Sequence, residues 1–282
     1  MLAERLPGLL PPLTSADQLE VACLRSLCGA VDMTSTAAPF RAPHHSASAR
    51  ALLGGGARPR PGEVSLAHLG VLFLDELPEF PRAAIEGLRE PLETGTVTVA
   101  RVLDRITYPA RFQLVAAMNP CACGFAGDPV RPCLCTPASL ARYQRRLSGP
   151  LLDRIDLQVD VPRIDTRLLH GPPEADETPP LRAQVAAARA RQLARAGMLN
   201  ARLDARDLWQ QIALDAPGAR LLERAARRWQ LSARGVSRVL KTARTIADLA
   251  GARHTHADHL AEALQLRRCA GEPAESRAEI GL

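Results

Sequence analysis

The sequence predicts an α/β domain followed by an all-α domain, and three stretches carry that prediction. Gly70–Leu74 is a short apolar run without alternation, the pattern of a strand buried on both faces of a parallel sheet, and it leads directly into Asp75 and Glu76. Phe112–Ala117 is a second such run and ends in Met118-Asn119-Pro120. Beyond a proline-rich acidic segment at 171–180, every patterned stretch has helical spacing. The division reads as an α/β core over 1–170, a linker over 171–180, a helical domain over 181–270 and a frayed tail over 271–282.

Composition bounds the function classes. A chain of 282 residues with 46% apolar content can bury a sizeable core and divide into one large or two modest domains. No stretch approaches the ~18 consecutive apolar residues of a membrane span, so no membrane partner is expected. Met1–Leu13 is broken by Glu4, Arg5 and prolines and does not read as a secretory signal. The net charge of +6 is carried almost wholly by arginine, since Lys241 is the sole lysine, and it favours a polyanionic partner such as nucleic acid. An aromatic content of 3% argues against base-stacking platforms. Seven cysteines, an odd number, point to the cytoplasm, where thiols stay reduced or bind metal.

The amino-terminal residues Leu2–Leu10 read as the tail of a helix closed by Pro11-Pro12. Ser15 and Gln18 form an expected capping box for a helix burying Leu19, Cys23, Leu24 and Leu27. Adjacent His44 and His45, in FRAPHHSAS, lack the further ligands a metal needs. Leu53–Gly62 reads as a flexible basic loop; no Gly-Lys-Ser/Thr follows its glycines, so it is not a phosphate cradle. Pro81 opens a helix with Ala84, Ile85 and Leu88 on one face, stopped by Pro91 and Gly95. Thr96–Ala100 and Arg105–Tyr108 form a hairpin presenting Arg101 and Arg105, either to DNA or as ordinary surface arginines. Leu157–Val161 is a further expected strand. In the helical part, Leu181–Ala196 stops at Gly197, Gly218–Trp229 buries Leu221, Leu222, Ala225 and Trp229, and Ser232 caps a long helix. That helix turns Val236, Val239, Leu240, Ala243, Ile246 and Leu249 inward. A last helix covers Ala257–Leu266, with His254, His256 and His259 solvated near its start.

Two constellations carry chemistry. A hydrophobic strand ending in Asp75-Glu76 has the Walker B pattern, in which the first carboxylate holds Mg²⁺ and the second polarises the attacking water. Its competitor is a core strand running into a solvated acidic turn. Asn119, at the end of a neighbouring strand, either orients water against a phosphate or makes a plain Asx-turn before proline. The pairs Cys121/Cys123 and Cys133/Cys135 either hold a tetrahedral Zn²⁺ through four sulfurs or pack a small loop as free thiols.

FRAPHHSAS, GVLFLDELPEF, AAMNPCACG…CLC, LSGPLLDRIDLQVDVP and SARGVSRVLKTARTIADLAG, in this order, resemble the magnesium-chelatase-like AAA+ ATPases, and within them the ComM/YifB competence-protein group. The resemblance runs from Leu2 to about Arg268. It implies an AAA+ P-loop ATPase sandwich of strand order 5-1-4-3-2 with a helical lid. ATP and Mg²⁺ would be bound in a homo-hexameric ring that moves along single-stranded or branched DNA during transformation and recombination. By position, Asp75 and Glu76 would be Walker B, Asn119 sensor 1, and Arg154 the finger reaching a neighbouring subunit's nucleotide. Arg234 would be sensor 2, with Arg238 its competitor, and Arg101 and Arg105 would lie on a pore-facing hairpin. Gly70–Leu74, Phe112–Ala117 and Leu157–Val161 would be strands 3, 4 and 5. Family members carry a strand and G-x-x-x-x-G-K-S/T before the segment that Met1–Gly8 resembles, so the chain reads as a fragment without strand 1 and Walker A, expected to be inactive alone. The other readings are the motor subunit of a magnesium-insertion complex and a non-catalytic remnant.

Overall fold

The computed structural model describes residues 2–30, 35–56, 58–100, 105–161 and 177–267. The chain divides into two compact units, Met1–Arg154 and Ile155–Leu282. The expected tail, most of the expected linker and Arg101 lie outside the described residues.

The first unit is built on a three-stranded parallel sheet of order β1 (Phe40–Arg41), β4 (Val71–Leu74), β7 (Gln113–Ala116). Val71 pairs with Gln113 and Leu74 with Ala116, so the expected strands 3 and 4 are direct parallel neighbours. Val71, Leu72 and Leu74 are buried, as a central parallel strand requires. Leu52, Val64, Ile85, Leu88 and Leu151 complete the core against Leu72 and Leu74. Gly70 enters β4 so close to the preceding chain that a Cβ there would stand 2.0 Å from the Pro39 carbonyl oxygen. The hairpin of β5 (Thr96–Ala100) and β6 (Arg105–Pro109) forms as expected, and the Tyr108 hydroxyl donates to the Pro59 carbonyl at 3.0 Å.

Several local expectations are corrected. After a short α1 (Leu2–Arg5), helix α2 (Ser15–Ser26) is capped by Thr14, whose hydroxyl accepts from the Asp17 amide at 3.2 Å while Asp17 accepts from the Thr14 amide. Gln18 instead donates to the Leu13 carbonyl, and the buried face is Val21, Ala22 and Leu24, leaving Leu19, Cys23 and Leu27 exposed. The basic loop between α3 (Ala49–Leu53) and α4 (Glu63–Leu66) contains a small antiparallel pair, β2 (Gly54–Gly55) with β3 (Arg60–Pro61). The helix after Pro81 is two helices, α5 (Arg82–Gly87) and α6 (Arg89–Thr94). Pro91 falls in the first turn of α6, where a missing N–H costs nothing, and only Gly95 stops it. Strand β7 is partly exposed, since it is an edge of the sheet among the described residues. Leu157–Val161 forms no strand: Leu157, Val159 and Val161 are exposed, and the Gln158 amide donates to the Leu266 carbonyl at 2.6 Å instead of entering a ladder.

The second unit packs α9 (Thr178–Ala196), α10 (Ala205–Gln211), α11 (Ala216–Arg228), α12 (Ala233–Leu249) and α13 (Ala257–Gln265) around Leu208, Leu221, Leu222, Leu240 and Leu260. Helix α9 starts at Thr178, inside the expected linker, with Pro179 and Pro180 in its first turn, and Gly197 ends it in the left-handed conformation. Ser232 caps α12 by accepting from the Gly235 amide at 3.1 Å. Val239, Leu240 and Ala243 turn inward as expected, but Leu249, in the last turn, is exposed. Arg244 and Asp248 are buried beside them and bond each other at 2.9 Å. Among the described residues no helix is long and apolar enough to cross a membrane.

Two outcomes test this architecture. Gly70→Ala forces a methyl against a backbone oxygen, and denaturant unfolding is expected to show a loss of about 1–3 kcal/mol or more. An unchanged midpoint would refute the close approach to Pro39. The second concerns His68, which is fully buried, accepts the Arg111 amide on Nδ1 at 3.0 Å and bonds Glu20 through Nε2 at 2.9 Å. Burial, followed by the Arg111 guanidinium, pushes its pKa below 6.5 against the opposing pull of Glu20. The unfolded chain therefore takes up this proton first, so stability is full above pH 6.5 and declines as pH falls through that value. Thermal unfolding between about pH 7.5 and about 5.5 should show that decline, and His68→Asn, which keeps an acceptor for Arg111 but cannot titrate, should flatten it. Equal slopes in the two proteins would exclude His68 as its source.

Candidate functional site

The carboxyl edge of the parallel sheet is where the chemistry-bearing residues of the first unit gather. Beyond the last register pair, the Ala117 amide donates to the Leu74 carbonyl at 2.9 Å and the Leu77 amide to the Ala117 carbonyl at 3.0 Å. These bonds tie the two strand ends together, so Asp75 and Glu76 leave β4 beside the turn that carries Asn119 out of β7. All three side chains are exposed. This is the edge of an open α/β sheet at which ligands bind.

Glu76 is held in an uncommon conformation. Its φ of 52° and ψ of 46° are left-handed, which a residue with a Cβ adopts at some cost. Its amide donates to Asp75 Oδ1 at 2.9 Å, and its carboxylate pairs with His45 Nδ1 at 3.1 Å. The His44 and His45 rings lie against each other with centroids 4.0 Å apart. His45 is the site residue that sequence reasoning missed. The signal was present, because a polar pair following β1 emerges at the same sheet edge, but a two-residue strand is too short to be read from its pattern.

The remaining expected site residues are placed as follows. Arg154 follows α8 (Gly149–Leu152); its guanidinium is largely buried, pairs with Glu93 and donates to the Pro150 carbonyl at 2.6 Å. Arg105 begins β6 and is exposed. Arg234 is exposed in the first turn of α12, and Arg238, one turn on, is half-buried and pairs with Asp156 at 2.6 Å. These two arginines belong to the second unit. His256, expected to be simply solvated, pairs with Asp215 at 3.2 Å, and its amide donates to His259 Nδ1 at 3.0 Å, closing the start of α13.

The four cysteines converge. Sγ of Cys121, Cys123, Cys133 and Cys135 all lie within 4.8 Å of one another, although Cys121 and Cys135 are separated in sequence by a glycine- and proline-bearing loop. Cys121–Cys123 is 3.4 Å, Cys123–Cys133 3.5 Å and Cys121–Cys133 3.7 Å. The Phe125 and Leu134 amides pull the Cys123 thiol down to about 6. The Cys135 amide pulls Cys133 the same way, but Cys123, burial and Cys121 overcome it and push Cys133 up to about 12. Sulfurs this close cannot all carry charge without a cation among them.

Two comparisons bear on this arrangement. Residues 1–169 match the family described as "Magnesium chelatase, subunit ChlI", and residues 175–267 match "Magnesium chelatase, subunit ChlI C-terminal". The chain is 46% identical over 271 residues to "Uncharacterized protein YifB" of Salmonella typhimurium and 47% identical over 273 residues to "Uncharacterized protein YifB" of Escherichia coli. It is 46% identical over 271 residues to "Competence protein ComM" of Haemophilus influenzae. Each match covers 95% of the chain and 53% of the relative, so the chain spans about half the length of these curated relatives. With both domains matched in order and this identity sustained almost end to end, the chain belongs to the magnesium-chelatase-like family, in the group that includes YifB and ComM.

Proposed function

We propose that these residues form part of the motor of an AAA+ ATPase that hydrolyses ATP in a homo-hexameric ring and moves along single-stranded or branched DNA. The observation that carries this reading is the placing of Asp75, Glu76 and Asn119 together at the carboxyl edge of adjacent parallel strands. Asp75 offers exposed hard oxygens of the kind Mg²⁺ takes, and the ion would offset charge on the transferring phosphoryl group. Glu76 would take up the developing proton of the attacking water, and His45 would hold that carboxylate in its turn until nucleotide arrives. Asn119 would orient the water or a γ-phosphate oxygen by hydrogen bonding. Arg154 would stabilise the transition state at a neighbouring subunit's nucleotide, exchanging Glu93 for phosphate, and Arg234 or Arg238 would do so from the helical lid. The 282 residues contain no Gly-Lys-Ser/Thr, so turnover is proposed for the full-length protein.

DNA is favoured as the partner by the arginine-borne net charge, by the hairpin on which Arg105 stands, and by the word "competence" in the name of the Haemophilus influenzae relative. The family description favours a second reading, a motor for inserting magnesium into a porphyrin.

In the full-length protein, Glu76→Gln is expected to lower kcat by about 10²–10⁴-fold with nucleotide Kd unchanged, because it removes a proton acceptor and not a phosphate contact. Turnover within a factor of two of the parent would remove Glu76 from the mechanism. The 282-residue chain itself should bind nucleotide negligibly, and micromolar affinity by calorimetry would demand a phosphate site elsewhere. Replacing Arg101 and Arg105 together by Ala should weaken single-strand DNA binding and flatten its salt dependence by about 0.7 per lost phosphate contact, while ATPase activity without DNA survives. An unchanged affinity across a salt series would favour the porphyrin reading.

A further inference from the structure

The loop from Cys121 to Cys135 is shaped by turns and local contacts, such as Arg131 over the Phe125 ring, and not by secondary structure. It contains no helix or strand, Cys121 is its one buried residue, and Val130 and Leu134 point into solvent. Local bonds trim it, notably Asp128 Oδ1 accepting from the Val130 and Arg131 amides at 2.7 and 2.9 Å, but they do not close it. A long irregular segment with no core of its own requires another constraint to remain compact.

We infer that Cys121, Cys123, Cys133 and Cys135 bind one Zn²⁺ tetrahedrally and that this ion is the closure of the loop. A tetrahedron with metal–sulfur bonds of about 2.3 Å has edges of about 3.8 Å. The three close sulfur pairs, at 3.4, 3.7 and 3.5 Å, fall just inside that edge, and the fourth sulfur stays within 4.8 Å. Convergence that tight fits a single ion and leaves no room for a cluster of several metals. The amides are arranged for thiolates: Ala126 N–H donates to Cys121 Sγ at 3.3 Å and Cys135 N–H to Cys133 Sγ at 3.4 Å. Such bonds favour the charged sulfur that zinc requires. Gly124 and Gly127, with φ of 82° and 80°, let the chain reverse between the two pairs.

The position of the site extends its consequence. Cys121 lies two residues beyond Asn119, and Cys135 immediately precedes Thr136, whose hydroxyl caps α7 (Pro137–Gln144) through the Ser139 amide at 3.2 Å. The ion therefore joins the carboxyl end of β7 to the amino end of α7 and fixes the turn that displays Asn119. It acts as a structural clip, since four protein sulfurs leave no open position for substrate. This inference stands apart from the proposed ATPase reading and is tested without it.

Protein purified without chelator is expected to contain one equivalent of zinc by plasma mass spectrometry. Cobalt exchanged into it should show the sulfur-to-metal charge transfer and intense visible bands of a tetrahedral tetrathiolate. Cys123→Ser should lower the metal content and change those bands, whereas Cys23→Ser, at an exposed thiol outside the cluster, should leave both as they were. Should Cys123→Ser fold poorly, chelation of the parent protein supplies the second measurement: hydrogen exchange should rise across 119–136 and stay unchanged in β4. Metal-free protein with a protected loop, iron in place of zinc, or full zinc retention in Cys123→Ser would each overturn the assignment.

Discussion

Strand β4 is the constraint on which the first unit depends. It is hydrogen-bonded on both edges, to β1 and β7, and its entry at Gly70 leaves no space for a side chain beside Pro39. A buried parallel strand must satisfy its backbone groups on both sides, because an unpaired buried amide or carbonyl costs about 1–3 kcal/mol. That requirement locks the register with β7, and the register determines that the acidic pair and Asn119 emerge together. The left-handed turn at Glu76 is affordable for the same reason, since Leu72 and Leu74 are buried and Leu77 is tied back to Ala117.

The second unit depends on a charge, not a ladder. Asp248 is buried and accepts from Arg244 at 2.9 Å, from Arg195 at 2.6 and 2.8 Å, and from Asn200 at 2.8 Å. Burial alone would raise its pKa, but the Arg195 and Asn200 hydrogen bonds and the two guanidinium charges outweigh that and hold the carboxyl below its usual range. Arg244 also donates to the Ala252 and Arg253 carbonyls, just past the end of α12, and to the Thr255 hydroxyl. The network thus joins α9, α12 and the turn toward α13, and removing the central carboxylate would leave two cations facing each other at a cost of about 3–5 kcal/mol.

Strong local signals were legible in the sequence and tertiary ones were not. The apolar run Gly70–Leu74, the hairpin at 96–109, the Ser232 cap and the Gly197 stop depend on pattern and on capping chemistry within a few residues, and each forms as read. Leu157–Val161 has the composition of a strand, but a strand exists only if a partner lies beside it, which composition does not encode. Arg244 and Asp248 lie on the inward face of α12 among apolar residues, where charge suggests solvent unless its partners from α9 are known. The grouping of Asp75 with Glu76 at a strand end, and of the four cysteines, was legible because those residues are contiguous or closely paired in sequence. The contact of His45 with Glu76 spans two strands and was not.

Two side-chain pairs made by proposed site residues differ in a way that bears on how they would behave. His45 and Glu76 are both substantially exposed, 37% and 50% for their side chains, and a pair so solvated is worth about 1 kcal/mol or less. A tether that weak orients a carboxylate without trapping it, which on the proposed reading suits a group that would turn toward water when nucleotide binds. Arg154 is 8% exposed beside a Glu93 that is 40% exposed, so the arginine bears most of the desolvation and the acid remains partly hydrated. Detaching it from Glu93 with no anion in exchange would take a carboxylate away from a largely buried cation. On the proposed reading, that makes a phosphate from a neighbouring subunit a better partner than water, and it ties release of Arg154 to ring assembly with nucleotide in place.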